Sequence, residues 1–101
     1  MNAHQTGKAV EKIAYEKLLA QKYWIEKPRR AKFQPQDFFY CWDFIAINSK
    51  HIRFIQVSTK GFSERSRADK ERMLAFPKPP GAIKEYWRWD GNAQRFEMQT
   101  L

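Results

Sequence analysis

The chain has 101 residues, enough for one compact core and too few for two, because independent domains run on the order of 100 residues each. Apolar residues make up 43% and aromatics 16%, with 8 Phe, 4 Trp and 4 Tyr, which supplies a packed interior and excludes global disorder despite 30% charged residues. Lys plus Arg outnumber Asp plus Glu by 19 to 11, a formal net charge of +8 that favours a polyanionic partner, nucleic acid before others, although charge speaks to association and not to chemistry.

Cys41 is the single cysteine, which excludes an internal disulfide and a zinc site built on cysteine spacing and fits a reducing compartment. No apolar run approaches the ~20 residues of a membrane span. The first residues, MNAHQTGKAVEK, lack the apolar stretch of a secretory signal, so the expectation is a cytoplasmic protein with no membrane partner. His4 and His51 lie far apart without companion ligands and read as surface residues.

From Gly7 to about Gln21, Val10, Ile13, Ala14 and Leu18 recur at helical spacing among good helix formers, which predicts a first helix. Tyr23 to Ile25 reads as the start of a strand that runs into Lys27-Pro-Arg-Arg-Ala-Lys32, where proline restricts it to an edge or a loop. Phe38 to Ile47, FFYCWDFIAI, is apolar on both alternating faces except at Asp43, the pattern of a strand covered on both sides. Asn48-Ser-Lys50 reads as a turn, and Ile52 to Thr59 as a second interior strand paired with the first. Ser63-Glu64 offers an N-cap and a first-turn acid for a mostly charged surface helix to about Phe76. Pro77 to Gly81 stops that helix, Ile83 to Trp89 reads as a strand, and Asp90-Gly-Asn92 turns into a short last strand. The expectation is one domain over residues 1–101 of α/β (mixed α+β) class, with an αβββαβ core. A central mixed sheet is flanked by helices and extended by a short C-terminal strand.

Three groups in this frame bear on chemistry. An acid inside an apolar strand is costly to bury unless it is paired or binds a cation, and hard divalent cations take oxygen ligands. Asp43 is such an acid, with a salt bridge to a neighbouring Lys or Arg as the structural alternative. Strand alternation sends Gln56, Ser58 and Lys60 to one face and Ile55 and Val57 to the other, and a hairpin can bring Gln56 beside Asp43. Glu11 lies along the edge of the first helix's apolar stripe. Together Glu11, Asp43 and the Gln56 amide oxygen would suit Mg²⁺ or Mn²⁺, with Lys60 orienting the attacking water. Arg29, Arg30 and Lys32, and Arg65, Arg67, Lys70 and Arg72, are the candidates for meeting a nucleic-acid backbone. For the second group the alternative is a solvated face laced with Glu64, Asp69 and Glu71. Trp87 and Trp89 share a strand face and fit core packing, with base stacking as the alternative.

Glu11 on the first helix, Asp43 in WDFIAI and Ile55-Gln-Val-Ser-Thr-Lys60 resemble the motifs of the PD-(D/E)XK nuclease superfamily, closest to its Holliday-junction-resolvase-like branch, over about residues 7 to 90. The resemblance implies a Mg²⁺- or Mn²⁺-dependent endonuclease acting on DNA, functioning as a homodimer. It implies that Glu11 and Asp43 hold metal, that Gln56 replaces the Glu of the third motif, and that the catalytic lysine belongs at position 58. Serine stands there, and Lys60 is the displaced lysine. Two other readings are a catalytically degenerate nucleic-acid-binding module of the same fold, and a protein-interaction domain that meets an acidic partner.

Overall fold

A computed structural model describes residues 7–28 and 37–101. Helix α1 (Gly7–Ala20) buries Val10, Ala14 and Leu18, which recur four residues apart and so share one stripe. It is followed by β1 (Trp24–Glu26), β2 (Phe44–Ile47), β3 (Ile52–Ser58), α2 (Arg67–Ala75), β4 (Ala82–Asp90) and β5 (Arg95–Thr100). One sheet contains all five strands in the order β1-β2-β3-β4-β5. β3 and β4 run parallel, joined by the crossover through α2, and the other neighbours are antiparallel. This is the expected mixed α+β architecture, with the helix and strand order the sequence predicts.

Each face of the sheet has its own core. Under α1, Val10, Ala14 and Leu18 pack on Phe44, Ala46, Ile55, Val57, Trp87 and Trp89. On the other face Cys41, Trp42, Met73 of α2 and Tyr86 form a second cluster, with Phe54, Phe62 and Phe76 against it. Trp87 and Trp89 are therefore core residues and unavailable for stacking on bases. Among the described residues, no helix is long and apolar enough to cross a membrane.

Two boundaries differ from the expectation. The strand read from Phe38 begins only at Phe44, because the apolar residues before it serve different surroundings: Cys41 and Trp42 enter the α2-side core, while Phe39 and Tyr40 stand exposed in a tight turn. The second helix is capped by Ser66, whose hydroxyl accepts the Asp69 N–H at 3.1 Å, whereas Ser63 falls in a short 3₁₀ turn, Phe62–Glu64. Asn48 closes the β2–β3 hairpin as expected, its side-chain oxygen accepting from the Lys50 and His51 N–H groups at 2.9 and 2.8 Å.

A buried lysine fixes the end of α2 to the sheet. Lys84 is 4% exposed, and its ammonium donates to the carbonyls of Met73, Leu74 and Phe76 at 2.9, 2.9 and 2.8 Å, using all three of its protons on the orphan acceptors of a helix terminus. Burial lowers its pKa from the ordinary lysine value. Replacing it by an apolar side chain strands those carbonyls. Lys84→Met is expected to lower unfolding stability by about 2–3 kcal/mol in chemical denaturation, the range for losing charged hydrogen bonds at a buried site. A loss under about 0.5 kcal/mol would show that water takes over the cap.

Candidate active site

Where β2 begins, the chain leaves the ladder in a way that places an acid in the sheet. The backbone N–H of Asp43 donates to the Ile55 carbonyl at 2.8 Å, while its side chain turns back and accepts the Val57 N–H at 2.7 Å. A carboxylate oxygen thus substitutes for a strand carbonyl, and Asp43 is left 8% exposed.

The other edge of Asp43 faces a cleft of about 790 Å³ built from α1, the end of β1 and the segment 37–44. Glu11 and Asp37 line it together with Asp43, and Lys8, Lys12 and Lys27 wall it. Tyr15 contributes an apolar surface, its ring 6.1 Å from that of Phe44, and the Lys27 ammonium lies 4.4 Å from the Tyr15 ring centre. The half-buried position of Glu11 follows from its place beside the Val10–Ala14–Leu18 stripe, one step round the helix from the core.

Burial pushes the Asp43 carboxyl up from 3.8 to about 8, the Val57 N–H opposes this, and the charges of Asp37 and Glu11 and a hydrogen bond with Asp37 add to the rise. At neutral pH the site therefore holds a proton that a cation could displace. This is the balance expected of carboxyls sharing one low-dielectric pocket.

The structure brings Glu11 and Asp43 together, as expected, but not the other two proposed members of the site. Ile55 and Val57 point into the α1-side core, so alternation sends Gln56 to the opposite face with Phe54. There Gln56 is buried, its amide nitrogen 3.5 Å from the Val57 carbonyl, and it does not line the cleft. Lys60 does not extend the strand face either: β3 stops at Ser58, and Lys60 sits in the bend beyond it. Its N–H donates to the Ser58 hydroxyl at 3.0 Å, and its carbonyl accepts from the Tyr86 hydroxyl at 2.8 Å.

Arg29, Arg30 and Lys32 lie outside the described residues. The basic residues of α2 do not flank the cleft, whose walls come from other elements, and they are engaged locally. Arg65 and Arg72 pair with Asp69 at 3.3 and 3.4 Å, Arg67 pairs with Glu71 at 2.9 Å, and the Lys70 ammonium lies 3.4 Å from the Ser63 carbonyl. The laced, solvated helix describes them better than a phosphate-binding row, although Arg72 also reaches the Tyr40 carbonyl at 3.3 Å.

Sequence reasoning missed Asp37 and the cleft lysines. Lys8 and Lys12 flank Glu11 at i−3 and i+1, and this was the available signal for them. Asp37 was hidden because the turn that folds it back beside Asp43 lacks turn residues. Among the described residues no group of three or more His, Cys, Asp or Glu is arranged to hold a metal ion. Mg²⁺ does not require one, since it commonly binds through one or two carboxylates and completes its shell with water and substrate phosphate. Comparisons with protein-family models, curated proteins and solved structures return no match.

The buried proton has a signature. The folded-state pKa of Asp43 lies above its unfolded value, so its contribution to stability is fully present below about pH 4 and is lost as pH rises through about 8. The melting temperature of the wild type, relative to Asp43→Asn, should therefore fall between about pH 5 and about pH 9, because the amide accepts from Val57 without ionising. Parallel pH profiles for the two proteins would place the proton elsewhere.

Proposed function

We propose that the protein is a metal-dependent endonuclease acting on DNA, a resolvase-like phosphodiesterase of PD-(D/E)XK type, with the cleft beside Asp43 as its active site. The observation that carries this reading is a buried carboxyl, Asp43, meeting Glu11 and Asp37 in a cleft walled by Lys8, Lys12 and Lys27. Acids alone would repel a phosphodiester. Acids ringed by ammonium groups suit a site where a divalent cation and a phosphate bind together.

In this reading Asp43 and Glu11 would hold Mg²⁺ or Mn²⁺, with water and substrate phosphate completing the shell, and Asp37 stands beside Asp43 as its hydrogen-bond partner. Bound there, the cation would polarise the phosphodiester and lower the pKa of a water. The protein's own groups do the rest. Val57 fixes the Asp43 carboxyl through its N–H, so that one oxygen is aimed at the cleft and cannot turn into the sheet. Asp43 would give up its proton to a cation bound at its cleft-facing oxygen. The lysine wall draws the phosphate in, and Lys27, held against Tyr15, takes the water-orienting part first assigned to Lys60. Homodimerisation, needed to cut two strands, belongs to the same proposal.

The test is cleavage of supercoiled, linear, single-stranded and branched DNA with Mg²⁺, Mn²⁺ or chelator. Asp43→Ala and Glu11→Gln are expected to reduce metal-dependent cutting by at least about 100-fold, and Lys27→Ala by about tenfold or more, while Lys60→Ala stays within a few-fold of wild type. Independently of activity, Mg²⁺ should raise the melting temperature more at about pH 8 than at about pH 5, where protons compete, and should not do so in Asp43→Ala. Salt-sensitive DNA binding with no cutting in any metal would favour the degenerate binding module.

A further inference from the structure

Between the two acids that line the cleft together, the chain makes a tight reversal. Phe38 and Trp42 form an antiparallel bridge, with the Phe38 N–H donating to the Trp42 carbonyl at 2.8 Å and the Cys41 N–H donating to the Phe38 carbonyl at 2.9 Å. The two residues at the tip, Phe39 and Tyr40, have φ of 55° and 60°. The bridge encloses three residues, and the two successive positive φ angles fall in the Phe38–Cys41 turn, in a region that Asn and Gly adopt most readily because a side chain with a β-carbon is strained there. Here the tip carries two aromatic residues, 65% and 64% exposed.

Phe39 rests one side on Phe76, with ring centres 5.4 Å apart, and still gives most of its surface to solvent. Strain of this kind at a non-glycine position points to a use. The position of the tip narrows that use: Asp37 and Asp43 stand at its two feet, so the Phe39 backbone is within about 7 Å of Asp37, two residues along the chain. The guanidinium of Arg72 reaches the same tip, donating to the Tyr40 carbonyl at 3.3 Å. Flat apolar faces on a protein of net charge +8 match an unpaired nucleotide: its base has a π face for the rings and its phosphate a charge for the protein's basic surface. A continuous duplex hides its base faces and offers nothing to this tip.

We propose that Phe39 and Tyr40 form a stacking wedge that selects DNA with unpaired bases, such as single strands, flaps or branch points, and seats those bases beside the cleft. The proposal rests on the nuclease reading and names its substrate class. It is tested by fluorescence anisotropy in chelator, with labelled single-stranded, blunt-duplex and flap oligonucleotides, for wild type, the double variant Phe39→Asn/Tyr40→Gly and the ring-preserving Tyr40→Phe. The double variant installs the turn's preferred residues, so its melting temperature should equal or exceed that of wild type. It should nevertheless lose about tenfold or more in affinity for single-stranded and flap DNA while its duplex affinity is unchanged, and Tyr40→Phe should keep both.

Equal affinities of wild type and double variant for unpaired DNA overturn the wedge and leave the nuclease reading in place. A wild type that binds no DNA at low salt overturns both. Tip-dependent binding without cutting in any metal sinks the nuclease reading alone. If the double variant abolishes a concentration-dependent dimer while DNA binding persists, the tip is a contact between copies of the chain and the wedge is overturned.

Discussion

The hydrogen bond from the Val57 N–H to the Asp43 carboxyl is the contact on which both the sheet and the cleft depend. A strand N–H buried in a sheet must have a partner, and at this point β2 has turned away and offers no carbonyl. A carboxylate supplies the acceptor, which satisfies the backbone, but it brings a charge into a low-dielectric site. The pKa of Asp43, raised to about 8, is the consequence. An amide or a hydroxyl would have accepted the same bond without that cost.

The two faces of the sheet divide the labour. On the α2 face Lys84 caps the helix from beneath, and Asp69 and Glu71 neutralise the arginines above. Those exposed pairs add little to stability, but they leave the helix electrostatically quiet. On the α1 face a buried ion pair, Arg53 with Glu85 at 2.5 and 2.9 Å, lies across β3 and β4 with the Tyr23 ring 5.0 Å from the guanidinium. This pair too is closed upon itself. What stays open toward solvent is the cleft, where lysines from α1 and from the residue after β1 face acids from α1 and the 37–43 turn.

The alternation of apolar residues made the fold legible. Val10, Ala14 and Leu18 announced α1, and Ile55 and Val57 announced a strand buried on the α1 side. The proline cluster after Phe76 marked where α2 had to stop. The same alternation, applied consistently, would have ruled out Gln56 as a partner of Asp43 on the α1 side, since a residue between two core-facing neighbours must face away. Treating Lys60 as part of a strand carried that periodicity past its end, where the Ser58 hydroxyl accepts the Lys60 N–H and breaks it. Asp37 was illegible for a different reason. Its approach to Asp43 depends on the short turn between Phe38 and Trp42, and tight turns are recognised in a sequence by Asn, Asp or Gly. Phe39 and Tyr40 instead continue an apolar run that reads as strand.

That failure is itself informative. When local propensity and tertiary structure disagree, the disagreement usually falls at a site kept for something other than stability. The segment from Asp37 to Asp43 concentrates such disagreements: a carboxyl in place of a carbonyl, aromatic rings in place of Asn-Gly, and a pair of acids brought close enough to share a proton. The carboxyl could be exchanged by Asp43→Asn and the tip by changing Phe39 and Tyr40 together, while the neighbours Cys41, Trp42 and Phe44 keep their packing through their own side chains into the two faces. Strain that is easily removed and nonetheless present locates function more narrowly than charge or composition does. It points to seven residues of one turn and to the α1 surface opposite, and not to the basic helix that the sequence displays most openly.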